Sequence, residues 1–265
     1  NYNSAWLRDN GPVWVEVDGQ LTVQDWGFDG WGGLVPNYLL DDAIPSYIAG
    51  FEEVPVEVYD FINERGTLEF NGSNTLITSW VCLHDRNPGI TQPQMEAFLQ
   101  NAFGVTNVVW LMSSPSDDVT DGHVDGIARF INENTVVVPW YVDQSHVDAW
   151  VYNEAAAIID AAGLNVIRMD VPGSVTHFGY PLSANYMNWL VANGVVILQG
   201  YEHAMWDSAA VATVESYFPN HDVFVVPGLD LSYTGGGVHC VTNDQPYGLA
   251  GEIELNIYQQ LVPQT

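Results

Sequence analysis

A hairpin, a helix and a strand recur in this order about every 60 residues, and that repeat constrains the fold more than any other feature of the chain. Asp18-Gly19 stands between the β-prone runs 13–17 and 21–25, and Asn71-Gly72 between 67–70 and 75–79. Asn132-Glu133-Asn134 separates 127–131 from 135–140, and Ala192-Asn193-Gly194 separates 187–191 from 195–199. Asp-Gly and Asn-Gly between alternating β-formers favour two-residue hairpin turns, because both tolerate positive φ.

The helix and strand after each hairpin recur as well. Thr91 and Pro93 open a helix with Met95, Phe98, Leu99 and Ala102 on one face, ahead of a strand at 105–111. Residues 145–162 read as a helix closed by Gly163, ahead of a strand at 164–169. A helix from about 204 to 218 precedes a strand at 222–226. The first unit has a fainter helical signal at 36–48 before a strand at 55–59. A fifth turn, Asn243-Asp244, falls one period after the fourth. The pattern predicts an α/β chain of ββαβ units, the last incomplete, closing into a pseudo-symmetric ring. Like strand ends then meet at one axis. Asp9, Glu64, Asp125, Asn185 or Asn188, and Cys240 lie shortly before the turns and are expected to face one another there. No linker or low-complexity tract divides 1–265, so one domain is expected.

Composition narrows the function classes. There are 5 basic residues, all arginine, against 33 acidic ones, for a formal net charge of −28. Such a surface repels nucleic acid and anionic membranes and attracts cations, although solubility or salt adaptation is the preferred reason for its extent. Hydrophobic residues make up 47% of the chain, as in a globular protein, and no apolar run is long enough for a membrane helix. The chain starts at Asn1 with no leader in view, so localisation stays open, with the cytoplasm preferred and secretion not excluded. A homodimer is likewise open.

Thr234-Gly235-Gly236-Gly237-Val238-His239-Cys240 carries one of two cysteines. Three glycines permit a tight turn and a close approach to a ligand, and the β-type run after them presents Cys240. A core cysteine is the plain alternative; a nucleophile would need a histidine and carboxylates, which Asp121-Gly122-His123-Val124-Asp125 supplies. His123 and Asp125 would share one face of a strand, or simply form a polar strand end. Cys82, in Trp80-Val81-Cys82-Leu83, reads as structural. His84, His146, His177, His203, His221 and His239 show no metal-ligand spacing.

Several stretches together resemble the agmatine deiminase and bacterial-type peptidylarginine deiminase family, of the guanidino-group-modifying (pentein) superfamily. They are Trp6-Leu7-Arg8-Asp9-Asn10-Gly11-Pro12, Gly30-Trp31-Gly32-Gly33, Cys82-Leu83 with Arg86-Asn87-Pro88-Gly89, 120–125 with Ala128-Arg129, Asn188 with Ala192-Asn193-Gly194, and 235–240 with Gln245-Pro246. The resemblance implies a five-bladed α/β propeller of ββαβ modules, in agreement with the repeat. It also implies an N-terminal segment ahead of the Trp-x-Arg-Asp motif that this chain lacks. The family's Glu-Gly-Gly is here Glu64-Arg65-Gly66, and its acidic pair before the tryptophan is Asn3-Ser4-Ala5.

The implied reaction is hydrolysis of a guanidino group. Asp9 and Asp125 would grip the planar cation, Cys240 would attack its carbon as thiolate, and His123 would protonate the departing ammonia and then activate water. Glu64, Asp121, Asn185, Asn188, Trp6 and Gly237 are the candidate substrate contacts, with Trp6 and Trp31 otherwise core residues. Arg8 and Arg129 are read as structural partners of carboxylates. No metal, nucleotide or organic cofactor is needed. The expected substrate is a small cationic guanidino compound, agmatine first. Peptidylarginine, whose carboxylate only Arg65 would be placed to read, is one alternative, and an inactive binding propeller the other.

Overall fold

The computed structural model describes residues 2–172 and 174–246. It contains four successive three-stranded sheets, each with its middle strand antiparallel to the strand before and parallel to the strand after. In the first, Val13–Val17 and Gln20–Gly27 form the hairpin, and Val56–Ile62 returns parallel to the second strand after the helix Ile44–Glu52. The second uses Glu69–Phe70, Thr75–Ser79, the helix Gln92–Phe103 and Asn107–Leu111. The third uses Arg129–Asn132, Thr135–Trp140, Ala149–Ala161 and Asn165–Asp170. The fourth uses Leu190–Ala192, Val195–Gly200, Ala204–Tyr217 and Asp222–Pro227.

The local chemistry explains these limits. Asp18 and Gly19 both have positive φ, 50° and 79°, as a primed hairpin turn requires. Asn71 instead folds its own turn, its Oδ1 accepting from the N–H groups of Ser73, Asn74 and Thr75. Thr91 and Gln94 form a reciprocal capping box at the start of Gln92–Phe103, and Gly104 ends that helix in the left-handed region. The third helix starts at Ala149 rather than at 145, because Asp143 holds Ser145 in a side-chain turn ahead of it. The faint signal at 36–48 becomes two short helices, Leu39–Asp42 and Ile44–Glu52, with Pro45 in the first turn of the second.

The cores lie between consecutive units. Trp26 of the first sheet stacks on Phe103 and meets Phe98 edge-on, both on the second unit's helix. Ile77, Val109 and Leu111 of the second sheet pack with Val136, Val138 and Ile159 of the third unit. Val137 and Met169 of the third pack with Trp189, Val196 and Leu198 of the fourth. Arg129 locks three units: it donates to Glu69 at 3.1 Å and to the carbonyls of Met187 and Trp189, each at 2.8 Å. Its structural pairing is thus with Glu69 and not with Asp125.

Asn243-Asp244, the fifth turn expected from the period, is not flanked by strands among the described residues. Asn243 donates instead to the carbonyls of Leu7 and Pro12. Residues beyond 246, where the fifth unit would continue, lie outside the described residues. No helix among the described residues is long and apolar enough to cross a membrane.

Candidate active site

Asp9, Glu64, His123, Asp125 and Asn188 each stand just ahead of a unit's first strand. Asp9 is on the short helix Leu7–Asn10, Glu64 precedes the 3-10 turn Arg65–Thr67, and Asn188 comes two residues before Leu190–Ala192. His123 and Asp125 are not on a strand: His123 caps the 3-10 turn Val124–Gly126, which contains Asp125. Their common direction comes from that turn. Cys240 lies in a turn as well, with Val241 N–H bonded to Gly237 C=O, and not in a β run.

These loops meet. Cys240 Sγ is 3.4 Å from Asn188 Oδ1 and 3.7 Å from Asp125 Oδ2. Asn188 Nδ2 donates to the same Asp125 oxygen at 3.0 Å. His123 Nε2 lies 2.7 Å from Glu64 Oε2, and its Nδ1 lies 3.5 Å from Asp9 Oδ1. Cys240, His123, Asp125, Asn188 and Gly237 line one cavity of about 560 Å³, with Asn185 on its wall.

The other candidates stand outside that lining. Asp9 spends both oxygens inside the protein, accepting from Trp31 Nε1 at 3.0 Å and from Gly66 N–H at 3.2 Å. Glu64 is 0% exposed and holds Arg86 Nε at 2.7 Å, so it sits behind His123 and not against a ligand. Asp121 accepts from Arg86 Nη1 at 2.9 Å. Trp6 packs its ring on the backbone of Gly236. Asn185 turns its side chain onto Gly126 C=O and Met187 N–H, so of the two asparagines Asn188 is the one that reaches the thiol.

Two glycines are required by close approach. A Cβ on Gly66 would strike the His123 ring and come within 2.8 Å of Asp9 Oδ1. One on Gly237 would collide with Asn188 Oδ1 and come within 2.7 Å of Gln199 Oε1.

The electrostatics are set by burial and by the charges that face each group. Burial alone would lower the His123 pKa, but Asp9 and Glu64 hold it well above the ordinary imidazole value, so the ring is an imidazolium. Burial raises Asp9 to about 6 despite His123. Burial opposes ionisation of Asp125, yet His239, followed by His123 and Arg129, lowers its pKa below the usual carboxylate range. The Cys240 thiol is pushed well up, first by burial and then by Asp125 and Asp9.

Three contributors carry no sequence signal of their own. His239 Nδ1 is 2.7 Å from Asp125 Oδ2, and burial with Arg8 and Arg129 nearby pushes its pKa down to about 3. It is therefore neutral and fixes the carboxylate. Gln199 accepts from Val238 N–H at 3.0 Å and pins the glycine loop. Asp244 joins Arg8 and Arg65, the residues next to Asp9 and Glu64.

Among the described residues, Glu64, Cys82 and His123 bring donor atoms within 4.8 Å of one another. A metal ion there would compete with the Arg86 guanidinium on Glu64 and with a thiol pushed up to about 12. It would also take His123 out of proton transfer.

A family model described as Porphyromonas-type peptidyl-arginine deiminase matches residues 1–246. The chain belongs to that family. It is 31% identical to an agmatine deiminase of Pseudomonas aeruginosa, covering 92% of this chain and 75% of the relative. It is 32% identical to an agmatine deiminase of Pseudomonas syringae pv. tomato over the same shares. The substrate-bound structure of agmatine deiminase from C. jejuni superposes with a TM-score of 0.88 at 26% identity, covering 94% of this chain and 75% of that one. An agmatine deiminase of Enterococcus faecalis gives 0.84 at 28% identity, over 92% and 75%. The α/β pentein architecture that the resemblance implies, and with which the repeat agrees, is the fold of the family, and its members are hydrolases of C–N bonds in amidines.

Proposed function

We propose that this protein hydrolyses the guanidino group of agmatine, giving N-carbamoylputrescine and ammonia through a covalent intermediate on Cys240. The observation that carries this reading is the juxtaposition of a thiol, a carboxylate and an imidazolium on one cavity floor, Cys240 being 3.7 Å from Asp125 with His123 beside them.

Asp125 has one oxygen held by His239 and Asn188, and among the described residues its other oxygen accepts no protein hydrogen bond. That oxygen is placed to take a guanidinium N–H. The cation then offsets the negative charge of Asp125 and Asp9, which together with burial keeps the thiol protonated. Binding of substrate thus favours loss of the thiol proton to solvent, which leaves the thiolate that attacks the guanidino carbon. A C–S bond forms as the C–N bond to ammonia breaks, and His123 gives the proton. Nδ1 is the less tightly held nitrogen, 3.5 Å from Asp9 Oδ1 whereas Nε2 is 2.7 Å from Glu64 Oε2. Neutral His123 then takes a proton from water as the water attacks the amidino carbon. The adduct collapses to the carbonyl product as the C–S bond breaks and the remaining hydroxyl proton passes to the departing sulfur. Asp9 and Glu64 serve this cycle by stabilising the imidazolium on either side.

Ammonia release from agmatine tests the reading. With a net charge of −28, long-range attraction of a dication is screened beyond about 10 Å at 0.1 M salt, so kcat/KM is expected to fall as ionic strength rises while kcat changes little. Faster release from an arginine-terminated peptide than from agmatine would favour the peptidylarginine alternative.

A further inference from the structure

The mouth of the cavity differs from its floor. Tyr180 and Tyr233 line it and are 61% and 44% exposed. Tyr180 belongs to a two-stranded hairpin, Val175–His177 with Tyr180–Leu182, and Tyr233 ends the helix Leu229–Tyr233 that leads into the glycine loop. Their ring centroids are 5.9 Å apart. Exposed Asp117 also lines the cavity, with Oδ1 accepting from Ser183 Oγ at 2.6 Å, just past the hairpin. Asp118 is already spent on its own loop, on the N–H groups of Thr120 and Gly122.

No arginine is among the residues lining this cavity, and the chain has no lysine. Arg65, the one arginine expected from the sequence to meet a substrate carboxylate, is held by both oxygens of Asp244 at 2.6 Å. A substrate whose guanidino carbon sits at Cys240 must run its other end out through this mouth. An ammonium there meets a carboxylate and two electron-rich rings, whereas a carboxylate meets that negative charge and no lining cation.

We propose that Asp117, Tyr180 and Tyr233 are specificity-determining residues that read a terminal ammonium on the substrate's far end. They would select linear ω-amino alkylguanidines over guanidines with a neutral or carboxylate-bearing end. This rests on the deiminase reading of Cys240. The packed pair of rings offers the cation an electron-rich surface while Ser183 orients the carboxylate. All three side chains are exposed, so their replacement leaves the packed units intact.

The test compares kcat/KM for agmatine, butylguanidine and arginine in the wild type and in Asp117→Asn, Tyr180→Leu and Tyr233→Leu. Butylguanidine keeps the guanidino group and the four-carbon chain but ends in a methyl group. The wild type is expected to prefer agmatine over both. The ratio of agmatine to butylguanidine is expected to fall about fivefold or more in each variant, through KM, as removal of one ion-pair or cation–π contact requires. An unchanged ratio in all three variants, or a wild type with no preference for agmatine over butylguanidine, overturns this assignment and leaves the deiminase reading standing. A wild type that releases ammonia from none of the three overturns both.

Discussion

Cys240→Ser is expected to lower turnover of agmatine by on the order of 10⁴ or more, with its melting temperature close to that of the wild type. A serine hydroxyl in this setting is a far weaker nucleophile than a thiolate, and the cavity lining offers no second group that could take over. Cys82→Ser is the control, because both thiols are near site carboxylates and only one faces the cavity. Cys82 is fully buried, its Sγ 3.6 Å from Glu64 Oε2, and burial together with Glu64 pushes its pKa up to about 12. It cannot ionise at neutral pH. Its replacement leaves a shorter hydroxyl side chain within reach of the Glu64 carboxylate, with an expected loss of about 1 kcal/mol of stability and most of the activity retained. Equal residual activity in the two variants would remove Cys240 from its role.

Asp244→Asn is expected to destabilise the protein from outside the cavity. Asp244 accepts two hydrogen bonds from Arg65, each 2.6 Å long, and shares an oxygen with Arg8. The Arg8 side chain is 3% exposed, so removing the carboxylate strands a buried guanidinium. Breaking such a pair costs about 3–5 kcal/mol when both partners are fully buried, and about 2–3 here because the Asp244 side chain is 32% exposed. That corresponds to a melting temperature lower by roughly 5 to 10 °C for a chain of this size. Activity should fall too, since Arg8 also donates to His239 C=O at 3.1 Å and so holds the loop of the nucleophile.

The pH dependence has a definite sign. Burial opposes ionisation of Asp244, but Arg65 and Arg8 keep its pKa well below the ordinary carboxylate value. A depressed folded-state pKa contributes stability that is fully present above the unfolded value, about 3.9, and is lost as pH falls through the folded one. The Tm difference between wild type and Asp244→Asn should therefore be constant near neutrality and shrink in acid. Arg65→Ala leaves Arg8 on Asp244 and should cost less, with agmatine turnover largely kept. A variant Arg65→Ala that loses arginine-peptide turnover alone would instead show that Arg65 reads a carboxylate.

How much of this is legible in the sequence differs from residue to residue. The units are, because turn chemistry is local: Asp18-Gly19 and Asn71-Gly72 announce hairpins by themselves. Cys240, His123 and Asp125 stand out as a glycine-flanked cysteine and a His-x-Asp pair, and the repeat is enough to expect their loops to meet. Contact at long range is not legible. His239 adjoins the nucleophile in sequence, but its partner Asp125 is 114 residues away, and nothing local distinguishes it from the other histidines. Glu64 reads as a substrate contact because spacing gives convergence without depth. Depth is decided by Arg86, which ties Glu64 behind His123 and accounts for Asp121 as well. The strand-face argument for His123 and Asp125 chooses the wrong element and the right proximity, since a tight 3-10 turn also brings residues two apart close together.

The most direct test is to mix enzyme with excess agmatine, quench in acid within the first turnovers, and digest the protein for mass spectrometry. A covalent route through Cys240 requires the peptide spanning 234–242 to carry the amidino carbon and aminobutyl chain of agmatine on sulfur, with one ammonia released per adduct formed. The same experiment on Cys240→Ser should give no adduct. Steady turnover of agmatine with Cys240 unmodified at every quench time, or turnover that survives in Cys240→Ser, would contradict it.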